Sequence, residues 1–234
     1  MVVTSVRENV ERARERIARA AMRAGRDPSE IRLAAVTKRH PAEAVLQAAA
    51  CGVDWIAENR VQEAQGKREN CPGVTVPWCL VGHLQRNKVR KALEVFDAIH
   101  TVDSQELAVS MERVLEEGQR TGVPVLLEVN VSGEAAKSGV SPEGAEALAE
   151  TVVSRCSRLR LEGLLAVGPL VDDPEAIRGA FRLLGRIAGD LRRQLGLPLA
   201  TLSMGMSDDF EIAVEEGSTL VRLGTALFGP RLPV

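Results

Sequence analysis

The chain has 234 residues, of which 45% are hydrophobic and 26% charged, and its formal net charge is −2. That is enough chain for a substantial core in ordinary globular proportions, and the near-neutral balance leaves no electrostatic footprint for nucleic acid. No run of about 18 apolar residues is present to span a bilayer, and the charged N-terminus lacks the apolar core of a signal peptide, so a soluble cytoplasmic protein with no membrane partner is expected.

In "SVRENVERARERIARAAMRAGRDP", Val6, Val10, Ala13, Ile17 and Ala21 recur every three or four residues, which predicts an amphipathic helix stopped by Gly25 and Pro28. An apolar strand, "IRLAAVT", follows and runs into Lys38. The chain then alternates. A helical stretch (42–51) precedes the strand "VDWIAEN" (53–59), a polar helix from Arg60, the strand "VPWCLVG" (76–82) and a basic helix. "AIHTVD" (98–103) leads into a long helix to about Gly118, and "PVLLEVNVS" (124–132) into a helix from near Ser141. "LRLEGLLAVG" (159–168), a helix over 175–195, "ATLSMG" (200–205), a short helix from Ser207 and "TLVRLG" (219–224) complete the series.

Strands recur at about 27 residues, close to one βα unit each, and several are near-continuous apolar runs of the kind found in parallel sheets covered on both faces. Eight such units predict an α/β fold of the (β/α)8 barrel type, one domain over 1–234 with an extra N-terminal helix. A doubly wound open sheet is the alternative. The four cysteines, Cys51, Cys71, Cys79 and Cys156, contain no C-x-x-C pair and histidine is scarce, so reduced thiols are expected and neither a disulfide framework nor a metal site.

In a (β/α)8 barrel, chemistry gathers where strands end. The seventh strand ends in "SMGMSDD" (203–209), with Ser203 and Gly205 at its end; Gly205 permits close backbone approach, and Ser207 can cap the next helix. Gly224 and Thr225, after the eighth strand, add donors for an anion such as phosphate. Arg222 shares a strand face with Leu220 and Gly224, so a guanidinium enters the barrel and must be paired. It could bridge to Glu128, or face a ligand's ring nitrogen or phosphate. Lys38 is one of only five lysines. Partial desolvation beside another cation would favour its neutral, nucleophilic amine, the form that joins aldehydes.

The blocks "AVTKRHP", "GVDWIAENRVQEA", "VGHLQRNKVRK", "VNVSGEAAKSGV" and "LSMGMSDDFEIAVEEGSTLVRLGTALFG" closely resemble the pyridoxal phosphate homeostasis proteins, in matching order from about residue 5 to residue 229. The resemblance implies the barrel of the alanine racemase N-terminal domain, with pyridoxal 5'-phosphate held as an aldimine of Lys38 and Asn59 beside it. It makes Ser203, Ser207, Gly224 and Thr225 the phosphate cradle and Arg222 the partner of the pyridine nitrogen. An Arg there disfavours ring protonation and weakens the electron sink.

Three functions compete. An amino-acid racemase needs a second base, a Tyr in the related racemases, and this sequence has no Tyr and no room for their second domain. A lysine Schiff-base aldolase would need an acid–base relay, for which the strand ends offer only Glu58, Asp103 and Glu128. A non-enzymatic carrier or buffer of pyridoxal phosphate, supplying apo-enzymes or limiting the free cofactor, needs neither. The expected protein is such a carrier and a monomer.

Overall fold

The computed structural model describes residues 5–134 and 136–230, so the two ends of the 1–234 span and Ala135 of the "VNVSGEAAKSGV" block lie outside the described residues. The first helix, α1 (Val6–Arg23), opens on a capping box, in which Ser5 accepts from the Glu8 N–H and the Glu8 carboxylate accepts from the Ser5 N–H. Its buried stripe is Val10, Ala13, Ile17, Ala20 and Ala21, the predicted spacing.

The alternation follows as expected: β1 (Arg32–Val36), α2 (Ala42–Ala50), β2 (Trp55–Glu58), α3 (Val61–Asn70), β3 (Trp78–Leu80) and α4 (Val89–Val95). Next are β4 (Ala98–Val102), α5 (Gln105–Glu117), β5 (Val123–Glu128), α6 (Ala145–Arg155) and β6 (Leu159–Leu165). The chain continues through α7 (Pro174–Leu195), β7 (Thr201–Ser203), α8 (Phe210–Glu215), β8 (Leu220–Leu223) and α9 (Thr225–Phe228). Neighbouring strands pair in parallel, in sequence order, and β1 closes on β8 with Arg32 opposite Leu220 and Ala35 opposite Leu223. The open-sheet alternative is thereby excluded.

Two layers of packing follow from strand alternation. Leu33, Ala35, Ile56, Leu80, Val221 and Leu223 join the large core between sheet and helices. Ala34, Val36, Ala57, Cys79, Ala98 and Leu220 form a smaller cluster inside the barrel, with Trp55 and Val81 against it. The small inward side chains leave room for larger polar ones: Arg222, and His100, whose ring lies 5.5 Å edge-on from Trp55. Gly163 marks a bulge between β5 and β6, and a Cβ there would fall 1.8 Å from the Thr201 carbonyl oxygen, so only glycine lets β6 approach β7.

Two local expectations are corrected. The helix after β7 starts at Phe210, with Asp209 in the cap position and no side-chain cap, so Ser207 does not cap it. The chain also adds α9 after β8, where only donors were expected. All four cysteines are free. No helix among the described residues is long and apolar enough to cross a membrane, and no group of three His, Cys, Asp or Glu among them could hold a metal ion.

Candidate functional site

The ends of β1, β2, β7 and β8 surround a cavity of about 320 Å³ at the C-terminal mouth of the barrel. Lys38 reaches it because Val36 and Lys38 share the inward phase of β1, while Thr37 between them turns out toward Glu58. Asn59, Arg222, Ser207, Gly224 and Thr225 line the same space, and Val36, Val81 and Val167 give it apolar walls. Six of the eight residues read from sequence as a site therefore converge on one cavity. That volume lies at the lower end for a small-molecule site, with few polar groups against apolar walls.

Ser203 and Gly205 are the two that do not line it. Ser203 is fully buried beneath the mouth, where its hydroxyl and carbonyl both accept from one terminal nitrogen of Arg222, at 2.9 and 2.6 Å. The other nitrogen donates to the Ala166 carbonyl at 2.9 Å. Arg222 makes no ion pair with Glu128; neutral oxygens satisfy it, and its fork is held by β6 and β7. Gly205, at φ +95°, is required for a different reason than ligand approach: a Cβ would lie 2.6 Å from that of Ala213 and 2.9 Å from the Phe210 Cα, so it lets α8 close onto β7.

Ser207 has a longer-range partner. Its hydroxyl accepts from the Ala226 N–H at 3.0 Å, so it caps the first turn of α9 and fastens the β7 loop to the β8 loop. The Ser207, Gly224 and Thr225 loops consequently line the cavity together, with Lys38 at the end of β1, the strand paired with β8, and Asn59 at the end of β2 beyond it. Beneath the loop, Asp209 accepts from the Met206 N–H at 2.5 Å; burial raises its carboxyl above the ordinary range, and that hydrogen bond and Arg222 oppose the shift.

Of the three acids considered for a relay, Glu58 stands apart, while Asp103 and Glu128 end the neighbouring strands β4 and β5. Glu58 points away from the cavity, into the layer between sheet and α3, where it accepts from Lys67 and Thr37 at 2.5 Å each. Burial raises its carboxyl, and the Lys67 and Thr37 hydrogen bonds oppose that. Asp103 pairs with His83 Nδ1 at 2.9 Å on the far rim. Glu128 is buried with Oε2 unpartnered; burial pushes its carboxyl up to about 7, Asp103 adding to the shift and Arg222 and His83 opposing it. His100 is driven down to about 3 by burial, with the charges of Arg222 and Arg32 acting the same way.

Sequence reasoning missed Lys67 and the ionic cluster around it. The signal was present: Val61, Ala64 and Lys67 lie three residues apart on the face of α3 that is buried, where a lysine must find partners.

A family model, alanine racemase N-terminal domain, matches residues 5–232. The fold is thus that of this class of (β/α)8 barrel. Relatives named pyridoxal phosphate homeostasis protein include one from Pseudomonas aeruginosa, 44% identical over 98% of this chain and 97% of that protein, and one from Escherichia coli K12, 37% identical over 98% of each. Among solved structures, PipY of Synechococcus elongatus with PLP bound superposes with a TM-score of 0.79 at 36% identity, over 92% of this chain and 99% of that one. An alanine racemase of Clostridium difficile superposes with a TM-score of 0.74 at 18% identity, over 98% of this chain and 56% of that one, a likeness of fold alone. The chain belongs to the pyridoxal phosphate homeostasis protein family.

Proposed function

We propose that this chain binds pyridoxal 5'-phosphate at the β1/β2/β7/β8 mouth and serves in its homeostasis, as a carrier or buffer rather than as an enzyme. The observation that carries the reading is the convergence of Lys38, Ser207, Gly224, Thr225 and Arg222 on one small cavity with apolar walls. The donor set fits the group: hydroxyls and backbone for a phosphate, a primary amine for an aldehyde, valines for the faces of a ring. When bound, the cofactor supplies an aldehyde, which a primary amine joins reversibly with loss of water.

Each residue's part follows from its chemistry. Lys38 provides the amine. Ser207, Gly224 and Thr225 hold the phosphate end, and the Ser207–Ala226 bond keeps the two loops together for it. Asn59 orients the ring edge. Arg222 only donates, so a ring nitrogen opposite it stays unprotonated and the ring is a weak electron sink. Ser203 acts at one remove, by fixing the guanidinium. A racemase would need a base on each face of its substrate, and this sequence contains no Tyr to be the second. The chain works as a monomer and passes its cofactor to apo-enzymes.

Purified protein given pyridoxal phosphate should gain a visible absorption band that borohydride bleaches. Mass spectrometry should then place the pyridoxyl group on Lys38 rather than on any of the other four lysines. Absence of the band after reconstitution, or label on another lysine alone, would overturn the reading. Conversion of L- to D-alanine by the loaded protein at about 1 per second or faster would overturn the non-enzymatic part.

A further inference from the structure

The backbone on both sides of Lys38 is tied to a single buried ammonium behind the barrel wall. The parallel ladder between β1 and β2 runs out at Thr37, whose N–H donates to the Ala57 carbonyl at 3.1 Å. Beyond that point the chain turns, and Arg39 adopts a left-handed φ of +61°. Polar side chains of β2 and α3 take over from the missing ladder. Lys67 Nζ donates to the Thr37 carbonyl at 2.6 Å, on the N-terminal side of Lys38. On the C-terminal side, the Arg39 N–H donates to Glu63 Oε1 at 2.5 Å. The same Nζ donates to Glu63 Oε1 at 2.8 Å and to Glu58 Oε1 at 2.5 Å, and Glu58 in turn accepts from the Thr37 hydroxyl at 2.5 Å.

Stability alone gives little reason for such an arrangement. The Lys67 and Glu58 side chains are 8% and 0% exposed, and Glu58 Oε2 has no partner at all. A well-packed apolar set in place of a buried ion cluster is often as stable or more so. What an apolar set cannot supply is a donor for the Thr37 carbonyl and an acceptor for the Arg39 N–H, one on each side of Lys38.

We infer that Lys67, with Glu58 and Glu63, is a positioning group that clamps the backbone around Lys38 and so aims its amine into the cavity. The inference rests on the reading of Lys38 as the amine that joins the aldehyde. Lys67 itself stays behind the wall and touches no ligand. Misaiming a reacting group by about an ångström costs up to about a hundredfold in bond-forming efficiency, so the clamp acts on capture and leaves non-covalent binding alone.

The test compares two probes: pyridoxal 5'-phosphate, and pyridoxine 5'-phosphate, which has the same ring and phosphate but an alcohol in place of the aldehyde. Glu58→Gln/Lys67→Met removes both buried charges together, and Glu63→Ala removes the acceptor for Arg39 from a side chain that is 24% exposed. Both variants should bind pyridoxine phosphate within about twofold of wild type, yet lose at least about tenfold in affinity for pyridoxal phosphate and shift the pH midpoint of its visible band. Glu63→Gln, which keeps an acceptor oxygen, should behave as wild type. Equal weakening of both probes, or no change in either for a folded variant, would overturn the clamp. Should the double variant fail to fold, Glu63→Ala against Glu63→Gln decides. A wild-type protein that never joins pyridoxal phosphate at Lys38 would instead refute the functional reading, whatever the variants do.

Discussion

Inside the barrel, the Arg222 guanidinium donates to a carbonyl and a hydroxyl of Ser203 and to the Ala166 carbonyl. Behind the wall, the Lys67 ammonium donates to two carboxylates and one carbonyl. Both cations are buried near the mouth, but the first faces only neutral oxygens and the second is paired with carboxylates. The charge of Arg222 reaches His100, Cys79, Glu128 and Asp209, each of which it influences without contact. The difference separates two uses of buried charge: one left open toward a cavity where a ligand is to sit, the other closed on itself to hold a shape.

The comparison predicts unequal costs. Lys67→Met strands the buried Glu58 carboxylate and removes a partner of the half-buried Glu63, and should cost about 3–5 kcal/mol in urea unfolding, most of it returned when Glu58→Gln is added. A single-variant loss below about 1 kcal/mol would show that the cluster is not closed as described. Arg222→Met strands only neutral acceptors, the carbonyls of Ser203 and Ala166, and should cost about 1–3 kcal/mol. With the guanidinium gone, the His100 imidazole should titrate higher than in wild type, though burial continues to hold it down. An unmoved His100 titration, followed by NMR, would break the claim that Arg222 remains an open charge.

Much of this was legible in the sequence, because the βα rhythm and the apolar strands are local patterns. All eight strands stand where the alternation placed them. Lys38, Asn59 and Arg222 converge because strand phase is itself local: every second residue faces inward. The same rule, applied to Thr201, Ser203 and Gly205, would have put Ser203 inside the barrel beside Arg222 rather than in a phosphate cradle. What escaped was non-local. The hydroxyl of Ser207 crosses to a different loop, and four-residue α9 is too short to show a period. Lys67 serves Thr37, 30 positions earlier in the chain.

Burial at the mouth also leaves a pH signature. Glu128 is held at about 7 in the folded chain, above the ordinary carboxyl value of about 4.5, so the folded state binds its proton more tightly than the unfolded state does. Its contribution to stability is present below the unfolded value and is lost as pH rises through about 7. His100, held near 3, has the opposite sign: its contribution is present above its unfolded value of about 6.5 and is lost as pH falls toward 3. Glu128→Gln should therefore flatten the decline in stability between about pH 4.5 and 7, a change of order 1–3 kcal/mol across the window. An unchanged slope in urea midpoints over that range would remove Glu128 from the set of groups under strain at the mouth.

The smallest expected effect lies where the cavity has least buried charge. Ser207→Ala removes the acceptor of the Ala226 N–H and with it the tie between the β7 and β8 loops. The loss in stability should be about 1 kcal/mol, that of an ordinary helix cap. Its consequence for binding should be larger than for folding, because Ser207 also lines the cavity and both loops contribute to the same end of it. Ser207→Thr keeps the hydroxyl and should restore both. Inorganic phosphate competing with pyridoxine 5'-phosphate reads this end of the cavity without involving Lys38. Weaker competition in Ser207→Ala, recovered in Ser207→Thr, would place the anion between the two loops. Equal competition in all three proteins would leave Ser207 as a cap and move the phosphate away from it.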